Sequence, residues 1–356
     1  MTTAYSPATR FTPSGTPRVP AFAVVSGAQV QRVLQGREQR IVELVEDAYR
    51  LHDEGDSVNP PSYFLRFDDR PTSRIIALPA SIGGATRVDG LKWISSFPQN
   101  VTAGIPRASA VLILNDHDTG YPFACLESSI ISASRTAASA SLAADWLSRH
   151  RPRPTNVGFV GTGLIARYIH TYLAGTGWSF ENVGVYDLSP ENAAAFRCCL
   201  EQSGAAGNIT VHDSAEEVIR LSDLVVFATV AARPHIHDPA WFAHRPLVLH
   251  VSLRDLAPAV LLASANIVDD IEHCLRADTS PHLTEQLTGD RQFLDGTLAD
   301  VMARRIAPPA DRPVVFSPFG LGVLDLVLGK YVYDQLADSG ELHVVDGFFH
   351  ELSRYG

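Results

Sequence analysis

Residues 156–166 read NVGFVGTGLIA, an apolar stretch that runs into Gly161-Thr162-Gly163-Leu164-Ile165-Ala166 and then into residues at helical spacing. In such a strand–turn–helix unit Gly161 permits the tight turn, Gly163 lets backbone approach a pyrophosphate, and Ala166 is small enough for helix and strand to pack. The helix start at Leu164 and Ile165 adds N–H groups and positive dipole for phosphates. The following strand, NVGVYDL, closes on Asp187, where an acid bonds ribose hydroxyls and repels a 2′-phosphate. The pattern predicts a dinucleotide site that takes NAD, formed by Gly161, Thr162, Gly163, Leu164, Ile165 and Asp187, with Thr229 at the end of DLVVFATV in the same set.

Downstream, a helix over 164–173, NVGVYDL, a helix over 190–200, NITVHD, a helix over 215–221, DLVVFATV, LVLHVSL and ANIVDD alternate strand with helix. Strands apolar nearly throughout belong to a parallel sheet covered on both faces. Upstream, RPRPT marks a boundary near Pro154, because each proline pushes its predecessor out of the α region. Before it stands the Ala- and Ser-rich helix SSIISASRTAASASLAADWLSRH, and before that the runs YFLRF, SRIIALP, GLKWISSF and ASAVLILND at hairpin distances, which suggest an antiparallel sheet. Apolar positions from Gly27 to His52 recur at helical spacing, with Ser26 placed as a cap. The segment from SPFGLG onward does not continue the alternation and is read as returning to the first unit. The expected fold is α/β: a Rossmann doubly wound parallel sheet over 155–310 and a discontinuous α+β domain from 21–154 with 311–356, preceded by a loose tail over 1–20.

Composition narrows the function classes. The 356 residues are 46% hydrophobic and 19% charged, ample for two buried cores. Against 39 acidic side chains stand 29 Lys and Arg, a formal charge of −10 with no dense basic run, so nucleic acid and anionic membranes are poor partners. No apolar stretch approaches the roughly 18 residues of a spanning helix. The four cysteines contain no C-x-x-C pair, which fits a reducing cytoplasm. His235, His237, His250, His273 and His282 form no metal-site spacing.

Three further positions carry possible chemistry. Lys92 lies in the apolar and aromatic run GLKWISSF, where burial would lower its pKa and suit it to proton transfer, or where it snorkels to solvent. Arg135-Thr136 stands inside the small-residue helix, and Arg135 either forks onto a substrate carboxylate or cofactor phosphate or is a surface residue. Asp255, in HVSLRDLAP, falls at the ligand-binding edge of the doubly wound sheet and either exchanges protons or caps a helix.

The block from GLKWISSFPQN to SLAADWL, followed by VGFVGTGLIA, resembles the ornithine cyclodeaminase/mu-crystallin family, continuously from about Ser57 to Leu328. NPPSYFLRF, KWISSFPQN, SLRDL, NIVDD, SPHLTEQ and DGTLADV are most similar to the branch that forms L-2,3-diaminopropionate for siderophores and peptide antibiotics. The resemblance implies NAD-dependent oxidation of N-(2-amino-2-carboxyethyl)-L-glutamate to an imine that water splits into 2-oxoglutarate and L-2,3-diaminopropionate. It implies a homodimer joined through the first sheet. It places the family's lysine on Lys92 as a catalytic and substrate-binding group, its helix arginine and threonine on Arg135 and Thr136 at the substrate and cofactor, and its proton-transferring aspartate on Asp255. Two departures stand out. An arginine that many relatives carry is replaced near Ser62, with Arg66 and Arg74 close enough to substitute in substrate binding. The acid with which cyclodeaminases grip the distal amine of ornithine falls near Ile76, which argues against ornithine cyclisation. The alternatives are a cyclodeaminase, a ketimine reductase and a crystallin-like nucleotide-binding protein.

Overall fold

The computed structural model describes residues 19–204, 207–350 and 352. The tail read over 1–20 lies, apart from Val19 and Pro20, outside the described residues. Among the described residues no helix is long and apolar enough to cross a membrane.

The first part of the chain contributes β1 (Phe22–Val25), β2 (Ser57–Val58), β3 (Tyr63–Arg66), β4 (Arg74–Ile82), β5 (Val88–Ser96), β6 (Ala108–Asp116) and β7 (Pro122–Glu127). β3 to β7 pair antiparallel in sequence order, and β1 lies parallel to β7. Three helices accompany them: α1 (Gly27–Leu34), α2 (Glu38–Asp53) and α3 (Ser129–Ser148). Period-two alternation divides the sheet into two faces. Leu78, Ala80 and Ile82 of β4 share the buried face with Lys92 and Ser96 of β5. On the other face Trp93 pairs with Val111, and both are exposed.

The expected single helix from Gly27 to His52 is two helices. Ser26 caps α1 in a reciprocal capping box with Gln29, but Gln35 turns extended and Gly36 takes φ +74°, a left-handed conformation suited to glycine. α3 is buried on nearly all sides, packing between α2 and the helix that follows the glycine loop. Its alanines and serines allow that close approach, and Ser139 meets the Tyr49 hydroxyl at 2.7 Å.

The second part runs β8 (Asn156–Val160), α4 (Leu164–Gly175), β9 (Asn182–Tyr186), α5 (Pro190–Gln202), β10 (Asn208–Val211), α6 (Ala215–Leu221), β11 (Leu224–Phe227), β12 (Leu247–His250), α7 (Pro258–Leu262) and β13 (Ala265–Val268). It continues through α8 (Ile271–Cys274), α9 (Ser280–Thr288), β14 (Leu294–Thr297), α10 (Leu298–Met302) and β15 (Val314–Ser317). These strands form a wholly parallel sheet in the order β10-β9-β8-β11-β12-β15-β13-β14. The winding reverses between β8 and β11, the switch point at which ligands bind in doubly wound sheets. β11, β12, β13 and β15 are buried at every position, as a sheet covered on both faces requires.

One boundary moves. A return to the first unit at 311 was expected, but β15 is inserted between β12 and β13, so the crossing back follows Ser317. Parallel strands are placed by crossover connections, and a four-residue apolar run gives no sign of which sheet it joins. After it, α11 (Gly322–Asp338) lies against β4, β5 and β6, and β16 (His343–Val345) pairs antiparallel with β1.

Candidate active site

The glycine loop stands at the switch point. Gly161 has φ +87°, and a Cβ there would lie 2.7 Å from the Ala228 carbonyl oxygen beyond β11, so the turn admits no side chain. A Cβ on Gly163 would meet nothing within 4 Å, leaving open space beside the backbone. Leu164 is exposed at the start of α4, where the first amides have no intrahelical acceptor. Asp187, directly after β9, accepts at Oδ2 from both the backbone N–H and the hydroxyl of Thr162, each at 2.9 Å. Its Oδ1 accepts from Ser189 N–H at 3.0 Å. The acid thus braces the glycine loop, and a tight turn, an open approach and free helix amides together fit a dinucleotide.

Lys92 does not snorkel. It is 2% exposed, and its Nζ donates to Asp325 Oδ2 at 2.7 Å and to Ser132 Oγ at 3.2 Å. Burial, aided by the neighbouring Arg135 and opposed by Asp325, lowers its pKa from the ordinary 10.5 to about 8. Arg135 is nearly buried and donates through Nε to Asp325 Oδ1 at 3.3 Å, leaving both terminal nitrogens without an acceptor among the described residues. Gly320, at φ +91°, passes so close that a Cβ would fall 2.3 Å from Arg135 Nη1. Thr136, one residue on, spends its hydroxyl on the Ser132 carbonyl at 2.7 Å.

Asp255 is fully buried beyond β12. Its Oδ1 accepts from the Thr229 hydroxyl and lies 3.1 Å from His235 Nε2, and its Oδ2 accepts from Ser252. His250 Nε2 lies 3.3 Å from Oδ2, and its Nδ1 lies 3.1 Å from Ser317 Oγ. His250 Nε2 also accepts from the Asp255 backbone N–H at 3.2 Å; burial alone would raise this carboxyl's pKa, but the neighbouring His235 and His250 and the hydrogen bond from Ser252 outweigh it and hold the group well below the usual carboxylate range. Residues 317–320 therefore lead from the histidine behind Asp255 to the glycine beside Arg135, joining the two clusters.

Arg66 and Arg74 face each other across β3 and β4. Neither side chain makes a hydrogen bond or ion pair among the described residues; the Arg66 guanidinium lies over the Phe64 ring, 5.0 Å from its centroid, and Arg74 Nε is buried without a partner.

The structure thus brings Lys92 to Arg135, the glycine loop to Asp187, and Thr229 to Asp255. Sequence reasoning missed Asp325, His235 and His250. A lone acid inside the apolar helix run GVLDLVLG and a histidine closing the apolar strand LVLH were the available signals.

A model of the Ornithine cyclodeaminase/mu-crystallin family matches residues 23–340. The chain is 28% identical over 316 residues to the N-((2S)-2-amino-2-carboxyethyl)-L-glutamate dehydrogenase of Staphylococcus aureus, covering 86% of this chain and 93% of that protein. Among solved structures it resembles the Delta(1)-pyrroline-2-carboxylate reductase of Thermococcus litoralis in complex with NADH and L-proline, with TM-score 0.83, 23% identity and coverage of 91% and 100%. It also resembles an archaeal alanine dehydrogenase dimer with bound NAD, with TM-score 0.81, 24% identity and coverage of 92% and 99%.

Proposed function

The chain belongs to the ornithine cyclodeaminase/mu-crystallin family as an NAD-dependent oxidoreductase, and from that premise we propose that it oxidises N-(2-amino-2-carboxyethyl)-L-glutamate. The products are 2-oxoglutarate and L-2,3-diaminopropionate, the latter a precursor for siderophores or peptide antibiotics. The observation that carries the reading is the face of the first sheet between Lys92 and Arg74. There Ile76 pairs with Ile94, so an apolar wall stands where a distal ammonium would need an acid, and unpaired arginines follow it.

NAD, when bound, supplies the hydride acceptor. The substrate's secondary amine must be neutral before hydride leaves the glutamate Cα, and Lys92, titrating near 8, is suited to take that proton. The free fork of Arg135 holds the carboxylate on the reacting carbon and fixes its geometry. Positive charge then develops on the imine, and the ionised Asp255 stabilises it through low-dielectric surroundings. Water adds to the imine carbon, the carbinolamine gives up a proton, and the C–N bond breaks to leave the ketone and the free amine. Lys92 and the His235–Asp255 pair share those proton movements.

The exposed Trp93, Val111 and Tyr63 form an apolar strip across the outer face of the first sheet, which supports a homodimer joined there.

The deciding experiment follows NADH absorbance with NAD and either N-(2-amino-2-carboxyethyl)-L-glutamate or ornithine, products being identified by mass. Stoichiometric NADH with 2-oxoglutarate and diaminopropionate is expected. Proline and ammonia from ornithine without net NADH would assign a cyclodeaminase instead. Asp187→Ala should weaken NAD roughly tenfold by equilibrium binding, and unchanged affinity would remove the ribose assignment.

A further inference from the structure

The first sheet carries a row of cations at the end remote from its loops to β7. Arg66 on β3 pairs with Arg74 on β4, and Arg74 pairs with Ser96 on β5. Arg107 reaches that row, donating through Nη1 to Ser96 Oγ at 2.7 Å. From the other sheet comes Arg254, anchored by Nη2 on the Ala277 carbonyl at 2.7 Å and adjacent in sequence to Asp255. None of the four forms an ion pair among the described residues, although the chain has 39 acidic side chains to offer. Arg74 is held below its ordinary pKa first by burial and then by repulsion from Arg254, Arg107 and Arg66, while Asp278 and Asp255 act on Arg254 in the opposite sense.

Arg74 and Arg107, half-buried and without an ion-pair partner among the described residues, carry a desolvation cost that a bound anion would offset. Lys92 pairs with Leu78, four residues along β4 from Arg74, which is roughly 13 Å of sheet at about 3.3 Å per residue. Between them the face is Ile76 and Ile94. That separation exceeds the length of the substrate from its reacting carbon to either remote carboxylate, so the long side chains of Lys92 and the arginines supply the rest of the reach.

We propose that Arg66, Arg74, Arg107 and Arg254 form one clamp across the cleft for the two carboxylates remote from the reacting carbon, so that the enzyme selects amino acids carrying three carboxylates. This rests on the dehydrogenase reading above. Arg66, Arg74 and Arg107 come from one sheet and Arg254 from the other, so the clamp also draws the two halves of the cleft onto the substrate. Planar forks suit carboxylates in this role, whereas lysines would hold them as point charges.

The test uses the full-length enzyme with NAD and three substrates: N-(2-amino-2-carboxyethyl)-L-glutamate, its γ-amide, and the analogue lacking the aminopropionate carboxylate. Wild type should lose roughly 10- to 100-fold in kcat/KM for each carboxylate removed. Arg66→Gln, at an exposed position safe for folding, and Arg254→Gln should lose as much on the triacid. Each should lose under about threefold on the analogue whose missing carboxylate it served. Equal losses on all three substrates, or none, would overturn the clamp. A parallel loss of NAD affinity would assign the arginines to cofactor phosphates and overturn it as well. Should wild type oxidise none of the three, the dehydrogenase reading fails by itself, and calorimetry with glutarate in the presence of NAD decides the clamp. Binding to wild type that weakens tenfold or more in Arg66→Gln and Arg254→Gln sustains it, and absence of binding overturns it.

Discussion

Two regions along the inner face of the first sheet treat positive charge in opposite ways. At one end Lys92 and Arg135 are buried around a single carboxylate, Asp325, with hydrogen-bond contacts of 2.7 and 3.3 Å. At the other, Arg66 pairs with Arg74, Arg107 reaches Ser96 beside them, and none of the three forms an ion pair among the described residues. A cation with a built-in partner keeps its place whether or not a ligand is present, and its proton affinity is set in advance. A cation without one is completed by what binds. The first arrangement suits proton transfer and the second suits selection.

The largest effect expected from breaking this contrast is at Lys92. Lys92→Ala should cost roughly 100- to 10,000-fold in turnover while NAD binding, followed by fluorescence, stays as in wild type. An unchanged rate would take lysine out of the chemistry. Next comes Asp325→Asn, which leaves two buried cations uncompensated and should cost about 3–5 kcal/mol, read as a lower urea midpoint. Because Asp325 raises the Lys92 pKa, the same variant should move the alkaline-rising limb of kcat/KM from near 8 to lower pH. A limb that stays in place would mean another group sets it.

A smaller, pH-dependent signature follows from the same lysine. Between about 8 and 10.5 the unfolded chain holds a Lys92 proton that the folded chain has lost, so this residue's contribution to stability rises with pH across that window. Below about 8 both states are protonated and the burial penalty is complete. The difference in urea midpoints between wild type and Lys92→Met should show this slope, and a flat difference would show that Lys92 is not buried. Smallest of all, Arg74→Gln should relieve repulsion and raise the ligand-free Tm by on the order of 1–2 °C, while no such rise is expected at Arg135. A fall in Tm would mean the arginine cluster is already neutralised.

Much of this was legible in the chain. ASAVLILND is β6 residue for residue, the Ala- and Ser-rich run became α3, and NVGFVGTGLIA formed the expected strand, turn and helix. These are local patterns, written by periodicity and glycine geometry. What escaped was the compensation of charge. Asp325 lies 233 residues from the lysine it neutralises, and nothing near either residue announces the other. His250 forms no metal-site spacing with the other histidines, and only the fold sets it behind Asp255. The arginine row depends on strand register, which joins Arg66 to Arg74 and brings Arg107 to Ser96.

The late strand β15 has a practical consequence. Since Val314–Ser317 fills the slot between β12 and β13, a fragment cut at residue 310 would split the parallel sheet down its middle and expose two raw edges to self-association. The nucleotide half of this enzyme is not a cassette that can be excised or shuffled by a single cut. Recombination within the family must either carry β15 along or exchange the chain's two halves together.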